Sequence, residues 1–260
     1  MLNKEFKLKI DPVYFVPNIA DRFNDSGRVH VIRYGKCNFR CSFCPFGLWP
    51  VDTYPSFTLS SFEEKIWELL PLSRNFKFTG GEPTLNPFLP ELLKIIKVYN
   101  GNVFLDTNGS YPNKVKSLIE LNLVDIVGIS LKGLTPEDAL ETSEIKNRQL
   151  CWDNVWETIR LVAEKPNITL IITYVACEGE FKYDDLERIT QLLDPFPNIT
   201  LKINNCYLDN YISSSYKGLK KSKIHKMLLK FVNEYPTYKG RTVLFLDHDS
   251  CVDNNKIELF

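Results

Sequence analysis

Three thiols fall within one short stretch, Cys37-Asn38-Phe39-Arg40-Cys41-Ser42-Phe43-Cys44. Thiolates at this spacing can hold a 4Fe–4S cube through three of its irons, which leaves the fourth iron without a protein ligand. An iron open to other molecules points to chemistry more than to electron storage. The competing reading is a structural zinc site. Closed zinc sites take four ligands, commonly as two pairs, and no second cysteine pair or nearby histidine completes this one. The remaining cysteines, Cys151, Cys177, Cys206 and Cys251, are scattered singly, and buried free thiols are the default for such residues.

Three further stretches carry residue types that suit a polar ligand. Gly80-Gly81-Glu82-Pro83 pairs two glycines, which let backbone approach a ligand closely, with a carboxylate able to accept from an ammonium group. Asp106-Thr107-Asn108-Gly109 and Ser130-Leu131-Lys132-Gly133 offer hard oxygens for a ribose, a carboxylate held through a cation, or an alkali ion, and Lys132 offers a point charge for a carboxylate. Phe43, inside the cysteine stretch, can lay an aromatic face against a purine. Each stretch taken singly reads as an ordinary turn. Their joint placement is what argues for a site.

That placement follows from the elements around them. Val-His-Val-Ile-Arg-Tyr centres a strand over Arg28–Tyr34 that runs straight into the cysteines. Ser60 and Ser61 offer an N-cap for a helix over Phe62–Leu70, and Phe76–Phe78 is a short strand ending at the paired glycines. The alternation continues with helices at Phe88–Tyr99, Asn113–Leu121, Trp152–Lys165, Tyr183–Leu193 and Ser222–Tyr235. Strands fall at Asn102–Asp106, Asp125–Leu131, Ile168–Val175 and Ile199–Asn204. Strands alternating with helices imply parallel pairing through right-handed crossovers. Six such units predict an α/β fold, a partial (β/α)6 TIM-like barrel of parallel strands, open on one side. In such a barrel the loops after the strands converge on one mouth, and all four stretches follow a strand. One domain is expected over residues 1–260, with an N-terminal arm over 1–27, the barrel over 28–235 and a C-terminal tail over 236–260.

The 260 residues suffice for a core without disulfide or metal support, so a metal centre reads as catalytic. Basic and acidic residues number 32 each, so no global field draws the chain to nucleic acid or to an anionic membrane surface. The local cluster of Lys217, Lys220, Lys221, Lys223, His225 and Lys226 reads as a solvated helix start. No apolar run is long enough to span a membrane and the first residues lack the apolar core of a signal peptide, so a cytoplasmic location is expected. Asp247-His248-Asp249-Ser250-Cys251 has metal-capable groups but reads as a polar turn.

Cys37, Cys41 and Cys44 with an aromatic before the third cysteine, followed by Gly80-Gly81-Glu82-Pro83, resemble the motifs of the radical S-adenosylmethionine (SAM) superfamily. The resemblance implies a 4Fe–4S cluster on the three cysteines, with S-adenosylmethionine as a second cofactor on the open iron. Reductive cleavage would give a 5'-deoxyadenosyl radical that abstracts hydrogen from a substrate. It also implies an electron donor such as flavodoxin or ferredoxin, Phe43 near the adenine, and Gly80, Gly81 and Glu82 at the methionine end. Asp106, Asn108, Ser130 and Lys132 are further candidate cofactor contacts. Within the superfamily the chain is most similar to activating enzymes of glycyl radical proteins, from about Val31 to Leu208, which implies a glycine of a partner protein as substrate. It departs from that pattern at Ser130, where an Asp is usual, and at Asn204-Asn205-Cys206-Tyr207, where a His is usual. A radical enzyme acting on a small molecule, nucleotide or peptide is the alternative; a non-enzymatic protein holding metal on three cysteines is the other. Cys177 and Cys206 follow the fifth and sixth strands, where a thiol is a candidate hydrogen-atom donor to a substrate radical.

Overall fold

The computed structural model describes residues 4–11, 14–15, 28–44, 51–196, 198–206, 218–245 and 257–260. In chain order the strands are β1 (Phe6–Lys7), β2 (Lys9–Ile10), β3 (Tyr14–Phe15), β4 (Arg28–Tyr34), β5 (Ser56–Phe57), β6 (Asn75–Gly80), β7 (Asn102–Thr107), β8 (Ile126–Leu131), β9 (Thr169–Ala176), β10 (Ile199–Asn205), β11 (Thr242–Phe245) and β12 (Ile257–Leu259). The helices are α1 (Leu59–Leu69), α2 (Leu89–Val98), α3 (Pro112–Glu120), α4 (Pro136–Ser143), α5 (Asn154–Ala163), α6 (Tyr183–Leu193) and α7 (Lys221–Glu234).

Strands β4, β6, β7, β8, β9, β10 and β11 pair in parallel in that order, with β2 and β12 antiparallel at the two edges. The sheet is therefore a partial barrel that does not close on itself. Side chains alternate between its faces. Phe76, Phe78, Val103, Leu105, Val127, Ile129, Ile172, Leu201 and Ile203 join helix residues such as Leu92, Ile159, Ile189 and Phe231 in the main core. The other, concave face begins with a small apolar floor of Val29, Val31, Phe104, Ile126, Ile171 and Val243. Above the floor it turns polar, with Thr79, Asp106, Ser130, Thr173, Lys202 and Asn204 at alternate positions of their strands. Gly128 sits among them because a Cβ there would lie 2.6 Å from the Phe104 ring.

Several elements differ from their expected form. Within the expected C-terminal tail, Thr242–Phe245 pairs with β10 as a further parallel strand, Leu201 opposite Thr242. Parts of the expected N-terminal arm are ordered on the sheet, with Lys9 opposite Arg33 and Tyr14 opposite Val29. Helix α1 begins earlier than expected because Thr58 is its N-cap, accepting from Ser61 N, while Ser61 Oγ accepts from Thr58 N at 2.9 Å in return. Helix α4 and the π-helical turn Gln149–Asp153 before α5 were not expected. Helix α7 starts among the exposed lysines 220, 221, 223 and 226, as a solvated helix start requires. The Asp247–Cys251 segment and Lys217 lie outside the described residues. Among the described residues no helix is long and apolar enough to cross a membrane.

Candidate active site

The cysteine loop leaves the C-terminal end of β4 and is tied at once to the end of β6. Gly81 N–H donates to Tyr34 O at 2.6 Å, and Glu82 N–H to Lys36 O at 2.7 Å. Neither glycine has room for a side chain. A Cβ on Gly80, whose φ is +108°, would lie 2.5 Å from Tyr34 O, and one on Gly81 would lie 2.2 Å from Lys36 O. The paired glycines thus let the end of β6 approach the backbone that enters the cysteine loop.

Glu82 is fully buried, and its carboxylate is taken up by the chain itself. Oε1 accepts from Thr84 N (3.0 Å), Thr84 Oγ1 (2.6 Å) and Thr107 Oγ1 (2.7 Å), and Oε2 accepts from Asn108 N (2.6 Å). Burial pushes this carboxyl's pKa up, against the pull of those donors. Through these four bonds the carboxylate clamps the ends of β6 and β7 together. Thr107, expected as an oxygen ligand, is one of its buried partners.

From the clamp, Asn108 reaches the cysteines. Its Nδ2 donates to Asn38 Oδ1 at 2.8 Å and lies 4.0 Å from Cys37 Sγ. Asn38 Nδ2 in turn donates to Ser110 Oγ at 3.0 Å. On the far side, Arg40 N–H donates to Ser143 O at 2.9 Å, which docks the loop on the end of α4. Phe39, Ala139 and Cys151 form a small apolar cluster beneath it, with Cys37 and Cys41 packed against them. The segment spanning α4 and the π-helical turn is therefore the support of the cysteine loop. The sequence signal for it was weak, since α4 buries only Ala139 and Ser143.

The three thiols are all partly exposed. Burial pushes the Cys37 thiol up to about 11, with the Phe39 N–H, 3.4 Å from its sulfur, pulling the other way. Burial also raises Cys41, opposed chiefly by Lys132. Among the described residues no three His, Cys, Asp or Glu side chains converge as ligands of one ion. The N–H donors at Cys37 and the cation beside Cys41 act against burial, in the direction that stabilises thiolate. The donor set fits a cluster whose irons are reached by one thiolate each.

Lys132, on the concave face after β8, holds its Nζ 5.6 Å from the Phe43 ring centroid. Phe43 packs with Val175 against Cys177 and Cys206, both buried. Thus Cys37, Cys41, Cys44, Phe43, the Gly80–Glu82 turn, Asn108 and Lys132 share one end of the barrel. Asp106 and Ser130 sit lower on the concave face. Asp106 lies 3.5 Å from Lys77 Nζ and accepts from Thr79 Oγ1 at 3.2 Å. Ser130 lies opposite Thr173 of β9.

The family model described as the radical SAM superfamily matches residues 31–193. The chain belongs to the radical SAM superfamily. A protein of Methanocaldococcus jannaschii, provisionally named a glycyl-radical enzyme activating enzyme, is 27% identical over 173 residues, covering 65% of this chain and 63% of that protein. The GTP 3',8-cyclase of Chlorobaculum tepidum is 34% identical over 180 residues, 67% of this chain and 52% of that enzyme. The chain thus spans less than two thirds of the length of either relative. A radical SAM methyltransferase from Sphaerobacter thermophilus shares the fold, with a TM-score of 0.68 at 13% identity over 95% of this chain and 72% of that one. Membership in the superfamily implies a 4Fe–4S cluster and S-adenosylmethionine as cofactors.

Proposed function

We propose that the chain is a radical SAM enzyme that holds a 4Fe–4S cluster on Cys37, Cys41 and Cys44 and abstracts a hydrogen atom from its substrate. When bound and reduced, the cluster supplies the electron that cleaves S-adenosylmethionine to methionine and the 5'-deoxyadenosyl radical. The chain's own residues set the stage for that step. Glu82, through Asn108 and Lys36, holds the cysteine loop at the mouth, and Lys132 presents a cation there for a carboxylate. Phe43 offers an aromatic face walled by Val175 and the two buried thiols, suited to adenine. The observation that carries the reading is the bracing of three separately exposed thiols by loops from β6, β7 and α4.

For the substrate, the similarity to an activating enzyme supports a glycine of a partner protein, with a flavodoxin or ferredoxin as electron donor. A second reading is a small polar molecule such as a nucleotide. It is supported by the similarity to a GTP cyclase and by Thr173, Lys202 and Asn204 on the concave face. Anaerobic reconstitution followed by chemical reduction tests the enzyme reading: about four irons per chain are expected, with 5'-deoxyadenosine formed. Cys41→Ala should abolish that product, and its survival would refute the cluster assignment. Deuterium carried into 5'-deoxyadenosine from a glycine-labelled partner protein, or from labelled GTP, separates the two substrates.

A further inference from the structure

Two cysteines that the cluster does not use stand side by side at the same mouth. β9 and β10 run in register with Asn205 opposite Ala176, and the next residues on each strand are Cys206 and Cys177. Cys206 N–H donates to Ala176 O at 2.8 Å, which carries the pairing one step past the strand ends. Alternation from Thr173 and Val175 on β9, and from Lys202 and Asn204 on β10, directs both thiols to the concave face. They are 2% and 3% exposed and touch Phe43 of the cysteine loop. The adjacent Cys206 thiol and burial both raise the Cys177 pKa, which favours the neutral S–H form.

A single buried thiol in such a place would be inert filling. A contacting pair is different, because adjacent strands lie about 4.8 Å apart, inside the roughly 4.4–6.8 Å range of Cα separation that a disulfide accepts. The pair can therefore close without moving the sheet. An S–H bond is also weaker than an aliphatic C–H bond, so a carbon radical takes hydrogen from a neutral thiol readily.

We propose that Cys177 and Cys206 are a hydrogen-atom-donating dithiol that quenches a carbon radical formed at this mouth. The inference rests on the radical reading above and adds that the abstracted position regains hydrogen from the protein. In the step, the Cys177 S–H bond breaks and a C–H bond forms, leaving a sulfur radical. That sulfur bonds to Cys206, whose proton leaves to water. The resulting disulfide radical anion gives up one electron to a one-electron acceptor, a role that an oxidised 4Fe–4S cluster held by Cys37, Cys41 and Cys44 would fill. The disulfide that remains is returned to two thiols by an external dithiol reductant, which is oxidised in exchange.

Two measurements test this. In the first, the full-length chain is treated with the thiol oxidant diamide under native, anaerobic conditions and its peptides are mapped by mass spectrometry. A Cys177–Cys206 link, with the loss of two hydrogens, is expected. Independent alkylation of the two thiols without a link overturns the pair, and so does inertness of both, since a sealed thiol cannot meet a radical. In the second, the cluster-loaded enzyme cleaves S-adenosylmethionine in D2O without substrate or added thiol, where exchangeable S–D is a deuterium source for 5'-deoxyadenosine. Labelling should fall several-fold in Cys177→Ala and in Cys177→Ser, whose O–H is too strong to donate but whose size preserves the packing. Labelling is expressed per 5'-deoxyadenosine formed, so that a slower cleavage does not enter, and an unchanged labelled fraction in both variants overturns the donor role. If the wild-type chain with its cluster does not cleave S-adenosylmethionine at all, the enzyme reading itself fails and the donor role falls with it, whatever the cross-link shows.

Discussion

Replacing Glu82 separates a structural clamp from a cofactor contact. In Glu82→Gln the new amide can place its oxygen at the Oε1 position, which keeps the bonds from Thr84 N, Thr84 Oγ1 and Thr107 Oγ1. Its NH2 then faces Asn108 N–H at the 2.6 Å contact, donor against donor. Flipping the amide rescues Asn108 but sets the NH2 against Thr84 N–H; the two hydroxyls can rotate to accept, whereas a backbone N–H cannot. Either way one buried backbone donor loses a charge-assisted bond, a loss of about 2 kcal/mol. Glu82→Ala strands both backbone donors and opens a cavity, and should cost about 4 kcal/mol. Chemical denaturation of the iron-free chain under anaerobic conditions reads these values directly, and iron content after reconstitution reads the cysteine loop. Both should decline together, in the order wild type, Gln, Ala. If Glu82→Gln denatures like the wild type but loses S-adenosylmethionine cleavage, the carboxylate acts on the cofactor and the clamp argument is wrong.

Other substitutions probe the same framework. Gly81→Ala should destabilise by about 2 kcal/mol or more and lower iron retention, because its Cβ would sit 2.2 Å from backbone that carries the cysteine loop; a melting curve and iron content check it. Thr58→Ala should cost about 1 kcal/mol by removing the α1 cap, while Ser60→Ala, exposed inside the first turn, should be near neutral. Equal effects of the two would misplace the cap. His30 is buried with its Nε2 3.0 Å from Leu69 O, and burial lowers its pKa. The folded state then binds fewer protons than the unfolded state, so stability is retained above pH 6.5 and lost as pH falls below it. His30→Phe, which keeps the stacking on Phe76, should therefore lose less stability than the wild type between pH 7.5 and 5.5 in chemical denaturation.

The barrel was legible because its strands are short apolar runs and its helices carry apolar residues at helical spacing. The seventh parallel strand was missed for the opposite reason, since Thr242–Phe245 is too short to announce itself without β10 beside it. The mouth was legible as a set of loops but the division of labour within it was not. Glu82 reads as a ligand group in sequence because its partners Thr107 and Asn108 lie on another strand end, 25 and 26 residues away. The Cys177–Cys206 contact was equally invisible, as it depends on the β9–β10 register and not on spacing along the chain.

The clamp also bears on how a loop of three thiols avoids collapse before metal arrives. Thiols on a free loop would be at liberty to pair or scatter, and iron would have to pay the ordering cost of the whole segment. Here the loop is bound at its start by two backbone bonds to Gly81 and Glu82, in its middle by Asn38 to Asn108 and Ser110, and behind Cys37 by Arg40 N–H to Ser143 O. None of these bonds uses a cysteine sulfur. The ordering cost is therefore met by the folding of the barrel, and the glycines and the carboxylate in the Gly80–Glu82 turn are required for the position of thiols that precede them by 36 to 45 residues.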